Sequence, residues 1–328
     1  MNVIPLLAQL ADGDFRSGEA LGEALGISRA AIWKQIQQLR ELGVTVQAVT
    51  GRGYRIPGGI VLLDRGRIAA SFDAGVREKI SSFEVHFSVD STNTRAMANA
   101  NSGHDICLVM TEHQTQGRGR RGRSWISPFG RNLYMSLLWT FQGGVATLEG
   151  LSLVCALAVR RALARELYQG VSVKWPNDVL FERRKLAGIL LEVSGDVSGP
   201  CKVVIGIGLN TEMPAQAGAQ IDQPFSDLAL VDGRPVDRNR LAAVVVSELV
   251  AVLQRFDDYG FQPFKEEWMG ADCYRGEQVE VRSGQSVLPG ICVGVDDSGR
   301  LLLETADGIQ AVAGGELMPS LRLAGDLH

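Results

Sequence analysis

The stretch QGRGRRGRSW, residues 116–125, places four arginines within seven residues. They are Arg118, Arg120, Arg121 and Arg123, and glycines separate most of them. Arginine binds phosphate and carboxylate oxygens through a planar pair of hydrogen bonds, and glycine lets backbone amides approach the same anion. We therefore expect a mobile anion-binding loop. Its ligand could be a nucleic-acid backbone, an acidic partner, or the phosphates and carboxylate of a small molecule.

Polar residues interrupt apolar strands at further places in the same region. Ser91, Thr92 and Asn93 follow the apolar stretch FEVHFSV. Their hydroxyl and amide groups suit either the head group of a neutral polar ligand or the cap of a helix. In KWPND a proline breaks a strand just before Asn177 and Asp178. An amide and a carboxylate in such a place can hold hydrated magnesium or a ribose.

Lysine and glycine mark the next two predicted strands. Lys185 opens KLAGIL, where it can meet a carboxylate or a phosphate, or can be solvated like the two arginines before it. The strand that ends in GIGLN carries Asn210 after two glycines. This spacing does not match the glycine fingerprint of a dinucleotide-binding fold.

Composition and charge narrow the class of protein. The 328 residues carry a formal net charge of -4, which excludes a protein that binds polyanions over its whole surface. The five cysteines are scattered singly and the four histidines show no metal-ligand spacing, so we expect reduced thiols and no protein-built zinc site. We find no signal sequence and no run of 18 apolar residues, which predicts a cytoplasmic protein without a membrane partner.

The first 60 residues contain the predicted helices and strands of a DNA-binding domain. Ser17 and Ser28 are predicted caps of two helices joined by a short turn containing glycine, which is the pattern of a helix-turn-helix. VTVQAVTGRGYRIP then predicts two strands around a basic tip, a wing. Small helical triplets also serve as protein-binding modules, but the wing favours DNA. The candidate DNA-binding residues are Ser28, Arg29, Ala30, Lys34, Gln37 and Arg52.

A larger domain follows the Pro-Gly-Gly linker at 57–59. Strands are predicted at 171–181, 186–194 and 202–210, after a long helix at 147–169. Short connections favour an antiparallel or mixed sheet with helices on one side. From residue 271, short strands alternate with Asp-Ser-Gly and Asp-Gly turns. The prediction is an α+β fold of three domains, residues 1–60, 61–270 and 271–328.

Four motifs together resemble a known family. EHQTQGRGRRGRSWISPFGRNLYMSL, KWPNDVLF, KLAGILLE and GIGLN, in this order behind a winged helix-turn-helix, are similar to the bifunctional biotin–protein ligases that also repress the biotin operon. The resemblance covers essentially the whole chain. It implies a winged helix-turn-helix, a central mixed-sheet α/β catalytic domain of the biotin/lipoate ligase type, and a C-terminal SH3-like β-barrel.

The resemblance also implies an activity. ATP, Mg²⁺ and biotin would give biotinyl-5'-AMP, and biotin would then pass to a lysine of the biotin carboxyl carrier protein of acetyl-CoA carboxylase. The family's biotin positions hold Ser91, Thr92, Asn93, Gln114, Arg118, Gly119, Arg120 and Lys185. Its ATP and adenylate positions hold Arg120, Arg121, Arg123, Trp125, Asn177 and Asn210. Arg118, Lys185 and Asp178 are the implied catalytic residues, and Asp178 is the candidate either for binding magnesium or for polarising the incoming lysine.

A second activity follows from the same resemblance. Biotinyl-5'-AMP would act as corepressor by ordering the loop at 117–125 and promoting a homodimer that binds operator DNA. Two alternatives stay open. A lipoate–protein ligase shares the catalytic fold and the adenylate chemistry, and a non-catalytic transcription regulator could use the same domain only to sense a ligand.

Overall fold

A winged helix-turn-helix opens the part of the chain that the structure describes. The structure is a computed structural model and describes residues 3–195, 199–283 and 285–318. Residues 1–2 of the predicted first domain, 196–198 of the second, and 284 and 319–328 of the third lie outside these ranges.

The first module forms because its predicted caps are in place. Its elements are α1 (Ile4–Leu10), α2 (Gly18–Leu25), α3 (Arg29–Glu41), β1 (Gln47–Val49) and β2 (Gly53–Arg55). The Ser17 hydroxyl accepts the backbone N–H of Ala20 at 3.0 Å, and the Ser28 hydroxyl accepts that of Ala31 at 3.2 Å. The two strands pair antiparallel as a wing. The helix-turn-helix and wing predicted from the sequence are confirmed.

The segment expected to be a linker is a packed turn. Ile60 N–H donates to the carbonyl of Ala11 at 2.9 Å, and both Gly59 and Ile60 are buried. Gly59 has a φ of +73°, and a Cβ there would lie 2.5 Å from the Ala11 carbonyl oxygen. Residues 59–60 are therefore fixed to the end of α1 before the chain enters the central domain.

The central sheet has seven strands in the order β3-β4-β5-β9-β8-β7-β6. The strands are β3 (Ser82–His86), β4 (Cys107–Thr111), β5 (Leu133–Phe141), β6 (Val171–Lys174), β7 (Asp178–Phe181), β8 (Arg184–Gly195) and β9 (Cys201–Leu209). β3 and β4 run parallel and the other neighbours run antiparallel, so the predicted mixed sheet is confirmed. The single strand predicted at 171–181 is wrong, because β6 and β7 are the two arms of a hairpin that turns at 175–177.

Helices cover both faces of this sheet, so the prediction of helices on one side is wrong. The helices of this region are α4 (Arg65–Ala70), α5 (Val76–Lys79), α6 (Thr92–Asn101), α7 (Leu151–Arg165), α8 (Ala215–Gly218), α9 (Leu228–Asp232), α10 (Arg238–Tyr259) and α11 (Lys265–Ala271). Ala96 and Ala100 of α6 pack on Val109 and Leu138, whereas α7 and α10 pack in the large core with Leu108 and Leu137. Alternate residues of one strand point to opposite faces, so α6 lies opposite α7 and α10.

The third region is a five-stranded antiparallel sheet in the order β13-β12-β11-β10-β14. Its strands are β10 (Gln278–Ser283), β11 (Ser286–Val295), β12 (Leu301–Thr305), β13 (Gly308–Val312) and β14 (Glu316–Met318). Val279, Leu303 and Leu317 of this sheet belong to the same apolar core as the central domain. The small sheet is thus packed onto the central domain.

A long helix passes through this shared core. α10 has 22 residues, among them Leu241, Val245 and Leu249, which are buried against α7. Among the residues described, no helix is long and apolar enough to cross a membrane.

Candidate active site

Two rows of cross-strand neighbours form the floor of the candidate site. In the first row Ser136 of β5 pairs with Gly206 of β9, and Gly206 pairs with Leu190 of β8. In the second row Gly208 of β9 pairs with Gly188 of β8. Residues directly opposite each other on neighbouring strands point to the same face, which here is the face that carries α6.

The first row supports a polar cluster at the start of α6. Ser136 Oγ lies 2.7 Å from Thr92 Oγ1 and 2.6 Å from Asn93 Oδ1. A Cβ at Gly206 would lie 2.2 Å from Asn93 Oδ1, so glycine is needed for the helix to approach the sheet this closely. Asn93 Nδ2 also donates to Glu192 at 2.7 Å. Hydroxyl and amide groups are therefore fixed in place above the floor.

The cluster is tied to the arginine loop by Gln114. Gln114 Oε1 accepts the backbone N–H of Thr92 at 2.9 Å, and Gln114 Nε2 donates to Ser127 Oγ at 3.2 Å. Ser91 precedes α6, but its side chain makes no capping hydrogen bond. Helix capping alone therefore does not explain the Ser-Thr-Asn sequence. The sequence analysis missed Ser136, whose signal is a serine inside the apolar strand NLYMSLLWT.

The second row holds the ring of Trp125. A Cβ at Gly208 would lie 2.3 Å from the indole, and one at Gly188 would lie 3.0 Å from it. Lys185 Nζ stands 5.6 Å from the centre of the same ring, within the range of a cation–π contact. Glycine at both positions therefore lets Trp125 lie on the sheet beside a cation.

The second row continues into a set of charged side chains. Gly188 pairs with Asp178 of β7, which pairs with Lys174 of β6. Lys185 Nζ lies 2.8 Å from Asp178 Oδ1, and both side chains are less than a fifth exposed. Asp178 Oδ1 is thus a buried carboxylate oxygen with the Lys185 ammonium beside it. Burial lowers the pKa of Lys174, which is 9% exposed.

The arginine loop folds back on itself above this floor. Trp125 N–H donates to the Gly117 carbonyl at 2.8 Å, and Gly119 N–H donates to the Arg123 carbonyl at 2.7 Å. A short 3₁₀ turn, Arg120–Gly122, forms the tip. The prediction that a ligand orders this loop stays a prediction.

Each loop arginine has a partner. Arg118 donates to Glu192 at 3.1 Å, and Arg120 donates to Asn177 Oδ1 at 3.1 Å. Arg123 donates to both carboxylate oxygens of Glu316, at 2.6 and 2.9 Å. Arg121 donates to the carbonyl of Arg282 at 3.4 Å and lies 3.8 Å from Glu316. Two of these arginines therefore hold the C-terminal sheet, and burial lowers the pKa of Arg120, which faces the floor.

Two asparagines, Asn177 and Asn210, also lie at this site. Asn177 Nδ2 donates to the carbonyl of Ile189 at 2.6 Å, which turns its Oδ1 toward Arg120. Asn210 is 3% exposed and its Nδ2 donates to the carbonyl of Ser226 at 3.1 Å. Its buried Oδ1 has no hydrogen-bond partner in the ranges described and can accept from a ligand.

A cavity of about 380 Å³ unites these groups. It brings together all the residues that the sequence analysis assigns to biotin, ATP, metal or catalysis: Ser91, Thr92, Asn93, Gln114, Arg118, Gly119, Arg120, Arg121, Arg123, Trp125, Asn177, Asp178, Lys185 and Asn210. It also contains Lys174, Asp222 and Glu316, to which the sequence analysis gives no role. Lys174 could have been found because it opens KWPND, whereas Glu316 comes from another domain and has no local signal.

The predicted DNA-binding residues lie away from this cavity. Ser28, Arg29, Ala30 and Lys34 are exposed on or beside α3, and Gln37 is partly exposed. Arg52, at the tip of the wing, stacks on the ring of Phe15 at 4.1 Å. The sequence analysis missed Trp33, which lies on α3 with 58% of its surface exposed.

Three family models match the chain in the order of these three regions. They are an HTH domain at residues 5–55, the biotin/lipoate A/B protein ligase family at 85–210, and the biotin protein ligase C-terminal domain at 274–317. The bifunctional ligase/repressor BirA of Escherichia coli K12 is 42% identical over 328 residues, with 98% of each chain covered. This chain belongs to the bifunctional biotin ligase/repressor family.

Other relatives agree with this membership. The bifunctional ligase/repressor BirA of Bacillus subtilis is 31% identical over 96% of this chain and 97% of its own. A biotin protein ligase from Aquifex aeolicus, solved in complex with biotin and ATP, is 30% identical with a TM-score of 0.61. It covers 73% of this chain and is itself covered to 98%. Nearly three quarters of this chain therefore shares its fold with a solved ligase.

Proposed function

We propose that this chain is a biotin–[acetyl-CoA-carboxylase] ligase that also represses transcription through its winged helix. The observation that carries the ligase activity is the cavity, in which a hydrogen-bonding cluster, Lys185 and the loop arginines surround one glycine floor. A Paracoccus denitrificans relative named biotin–[acetyl-CoA-carboxylase] ligase is 35% identical over 70% of this chain and 96% of its own. The Escherichia coli and Bacillus subtilis relatives are named ligase/repressors.

The polar cluster suits the uncharged head of biotin. Thr92, Asn93 and Gln114 hold each other through the hydrogen bonds to Ser136 and Ser127, so their remaining donors and acceptors are fixed before a ligand enters. Such preorganised groups bind a polar head group with little loss of side-chain freedom. We assign this end of the cavity to the biotin ring system, with Ser91 and Gly119 at its edge.

Adenylate formation demands positive charge. The carboxylate oxygen of biotin attacks the α-phosphorus of ATP, an O–P bond forms, and pyrophosphate leaves with the electrons of the broken P–O bond. Two negative groups must approach each other, so cations fixed in a partly dry site stabilise the transition state. Lys185, Arg118 and Arg120 are the cations that we place around the reacting carboxylate and phosphate.

Asp178 fits the role of a magnesium ligand. Its carboxylate lines the cavity, and its buried Oδ1 lies 2.8 Å from Lys185 Nζ. Nucleotide sites usually hold Mg²⁺ through one or two carboxylates together with phosphate oxygens. No cluster of three or more histidines, cysteines, aspartates or glutamates occurs in the ranges described, so phosphate oxygens would complete the shell. The bound ion would neutralise charge on the phosphates.

The nucleotide end of the cavity contains Trp125, Asn177 and Asn210. The Asn210 Oδ1 can accept a hydrogen bond from a sugar or base, and Asn177 orients Arg120. Arg121 and Arg123 can reach the adenylate only by sharing or leaving Glu316, which now accepts from Arg123. Loop closure is thus coupled to the C-terminal sheet.

Transfer needs no protein nucleophile. Biotinyl-5'-AMP is a mixed anhydride, and the acceptor amine of the carrier protein attacks its carbonyl carbon while AMP leaves. The same anhydride would be hydrolysed by water in an open site. A loop folded over the floor keeps water out and retains the intermediate.

Repression would use the winged helix-turn-helix, whose predicted DNA-binding residues do not line the cavity. We place Arg29, Lys34 and Gln37 of α3 in the major groove, with Arg52 of the wing on the phosphate backbone. Biotinyl-5'-AMP would act as corepressor by favouring a homodimer whose two winged helices bind two operator half-sites.

A reconstitution experiment separates the ligase from its alternatives. Purified protein, magnesium-ATP and a carrier-protein domain are incubated with biotin or with lipoate, and the modified carrier is measured by mass spectrometry. We expect modification with biotin. Modification with lipoate instead would show that the chain is a lipoate–protein ligase. If neither vitamin is attached to the carrier, the remaining explanation is a regulator that only senses a ligand.

The repressor activity needs its own measurement. Operator fragments selected from a random DNA pool are titrated with protein, with and without biotin and ATP, while the sedimentation of the protein is followed in parallel. We expect tighter DNA binding and a dimer in the presence of both ligands. Equal DNA affinity in the two conditions would show that biotinyl-5'-AMP is not a corepressor, and it would not bear on the ligase activity.

A further inference from the structure

Lys174 is a buried cation that has no assigned partner. It ends β6, is 9% exposed and lines the cavity. Within the described residues its Nζ makes no hydrogen bond or ion pair, and it lies 5.5 Å from the centre of the Tyr274 ring. A buried ammonium without a matched anion is costly, so its presence needs a reason.

The neighbouring carboxylates are already engaged by other cations. Asp178, directly opposite Lys174 on β7, lies 2.8 Å from Lys185. Glu316 accepts two hydrogen bonds from Arg123. The cavity lining carries six cations and three acids, namely Arg118, Arg120, Arg121, Arg123, Lys174 and Lys185 against Asp178, Asp222 and Glu316. Lys174 therefore adds positive charge that awaits an anion from outside the protein.

The position of Lys174 in the sheet indicates which part of a substrate it meets. The hydrogen-bonding cluster lies above Gly206 and Leu190, and Trp125 lies above Gly208 and Gly188. Lys174 is three strands along the second row from Gly208, which is about 14 Å at about 4.8 Å per strand. Lys185 and Asp178 lie between. With the head of the acid at the cluster and the reacting phosphate at Lys185, the remaining phosphates of ATP would extend toward Lys174.

We propose that Lys174 binds the β- and γ-phosphates of ATP and the pyrophosphate that leaves when the adenylate forms. This inference rests on the proposed ligase function. The phosphate anions favour the ammonium form of Lys174, which donates hydrogen bonds to their oxygens, while the bond between the α-phosphorus and its bridging oxygen breaks and pyrophosphate takes the electron pair. Biotinyl-5'-AMP carries no such phosphates, so transfer of biotin to the acceptor amine does not use Lys174.

The two half-reactions can be measured separately. Lys174→Met keeps the buried aliphatic chain and removes the charge, and Lys265→Met, at a lysine paired with Asp297 outside the cavity, is the matched control. Pyrophosphate release from biotin and ATP reports adenylate formation. Transfer from chemically prepared biotinyl-5'-AMP to a carrier-protein domain reports the second step.

We expect Lys174→Met to slow pyrophosphate release roughly 100-fold, the size of effect found when one electrostatic group of a transition state is removed. Transfer from the prepared adenylate should stay at the rate of the Lys265→Met control. Lys174→Arg, which keeps a cation, should recover part of the first step. Inhibition by added inorganic pyrophosphate should also weaken in Lys174→Met.

Three outcomes would overturn the inference. Equal loss in both half-reactions would mean that Lys174 only supports the site through Tyr274, and loss in transfer alone would place it at the acceptor. Unchanged rates in both steps would show that Lys174 takes no part in catalysis. Failure of the wild-type protein to release pyrophosphate would instead refute the ligase function, so the two failures are distinguishable.

Discussion

The carboxylate of Glu316 accepts two hydrogen bonds from the guanidinium of Arg123, at 2.6 and 2.9 Å. This pair joins the C-terminal sheet to the arginine loop across 193 residues of sequence. Arg121 adds a longer contact to the same carboxylate, at 3.8 Å. The C-terminal sheet therefore acts as one wall of the cavity, and its carboxylate competes with phosphates for the loop arginines.

Removing the charge of Glu316 should loosen the loop. Exposed ion pairs stabilise by about 0.2–1 kcal/mol, so Glu316→Gln should speed tryptic cleavage after Arg121 or Arg123 by up to roughly fivefold without ligand. Glu304→Gln, at an exposed carboxylate of the same sheet, is the control. Equal cleavage of both variants would show that the pair does not hold the loop.

A buried ion pair fixes the entry to the central domain. Arg238 of α10 donates to Glu112 at 2.8 Å and to the carbonyl of Val61 at 2.6 Å, and both charged side chains are at most 6% exposed. Arg238→Met leaves the buried Glu112 carboxylate without a cation, although the Leu63 N–H still donates to it. We expect a loss of about 3–5 kcal/mol in the free energy of unfolding, measured with urea.

The control for that loss is an exposed pair on the same helix. Arg240 donates to Glu166 with two-thirds of its side chain exposed, and Arg240→Met should cost at most about 1 kcal/mol. Similar losses in the two variants would contradict a structural role for the buried pair.

Phe129 connects the loop to the winged helix. It lies four residues after Trp125, is 1% exposed within the core of the first module, and contacts the ring of Phe87 at 4.6 Å. Phe129→Ala should lower stability by about 3–5 kcal/mol. It should also weaken biotin binding, because Ser127, two residues before Phe129, accepts a hydrogen bond from Gln114. Calorimetric titration with biotin measures the second effect.

Phe72→Ala is the matched control for Phe129→Ala. Phe72 is partly buried against the central core, with its ring 6.0 Å from that of Phe83, and it does not line the cavity. It should destabilise without changing the biotin affinity of the folded protein. If both variants weaken biotin binding equally, the effect is one of stability and not of coupling.

Trp33 should contact DNA. Its exposed indole lies on α3 next to Lys34, where an apolar surface can cover a thymine methyl group. Burying such a side chain stabilises by about 1.5–3 kcal/mol, so Trp33→Ala should raise the Kd for a selected operator at least roughly tenfold. Carrier biotinylation should be unaltered. Unchanged DNA affinity would show that Trp33 does not contact DNA and would favour a role in binding a protein.

Local features of the fold could be predicted from the sequence because their causes are local. Ser17 and Ser28 cap their helices through bonds that span three residues, and the wing tip is fixed by adjacent glycines. The cavity residues could be predicted as a set because the motifs are specific in combination. The Arg123 pair with Glu316 could not, because it depends on how two sheets pack.

The errors have the same origin. β4 and β5 are apolar on both faces, so their sequences do not reveal that α6 covers one face and α7 the other. The sequence predicts one strand in place of the hairpin at 175–177 because both arms are short and mostly apolar. Register, which places Lys174 opposite Asp178 and Ser136 beside Asn93, follows from pairing and is invisible in a single strand.

Lys185 is the cation that we place at the reacting carboxylate and phosphate in the cavity. The most direct test compares Lys185→Ala with Arg184→Ala, its exposed neighbour, in biotinylation of a carrier-protein domain with magnesium-ATP and biotin. Thermal unfolding confirms that both variants are folded. We predict that Lys185→Ala slows biotinylation roughly 100- to 1,000-fold while Arg184→Ala does not. Biotinylation at the wild-type rate by Lys185→Ala would contradict the account.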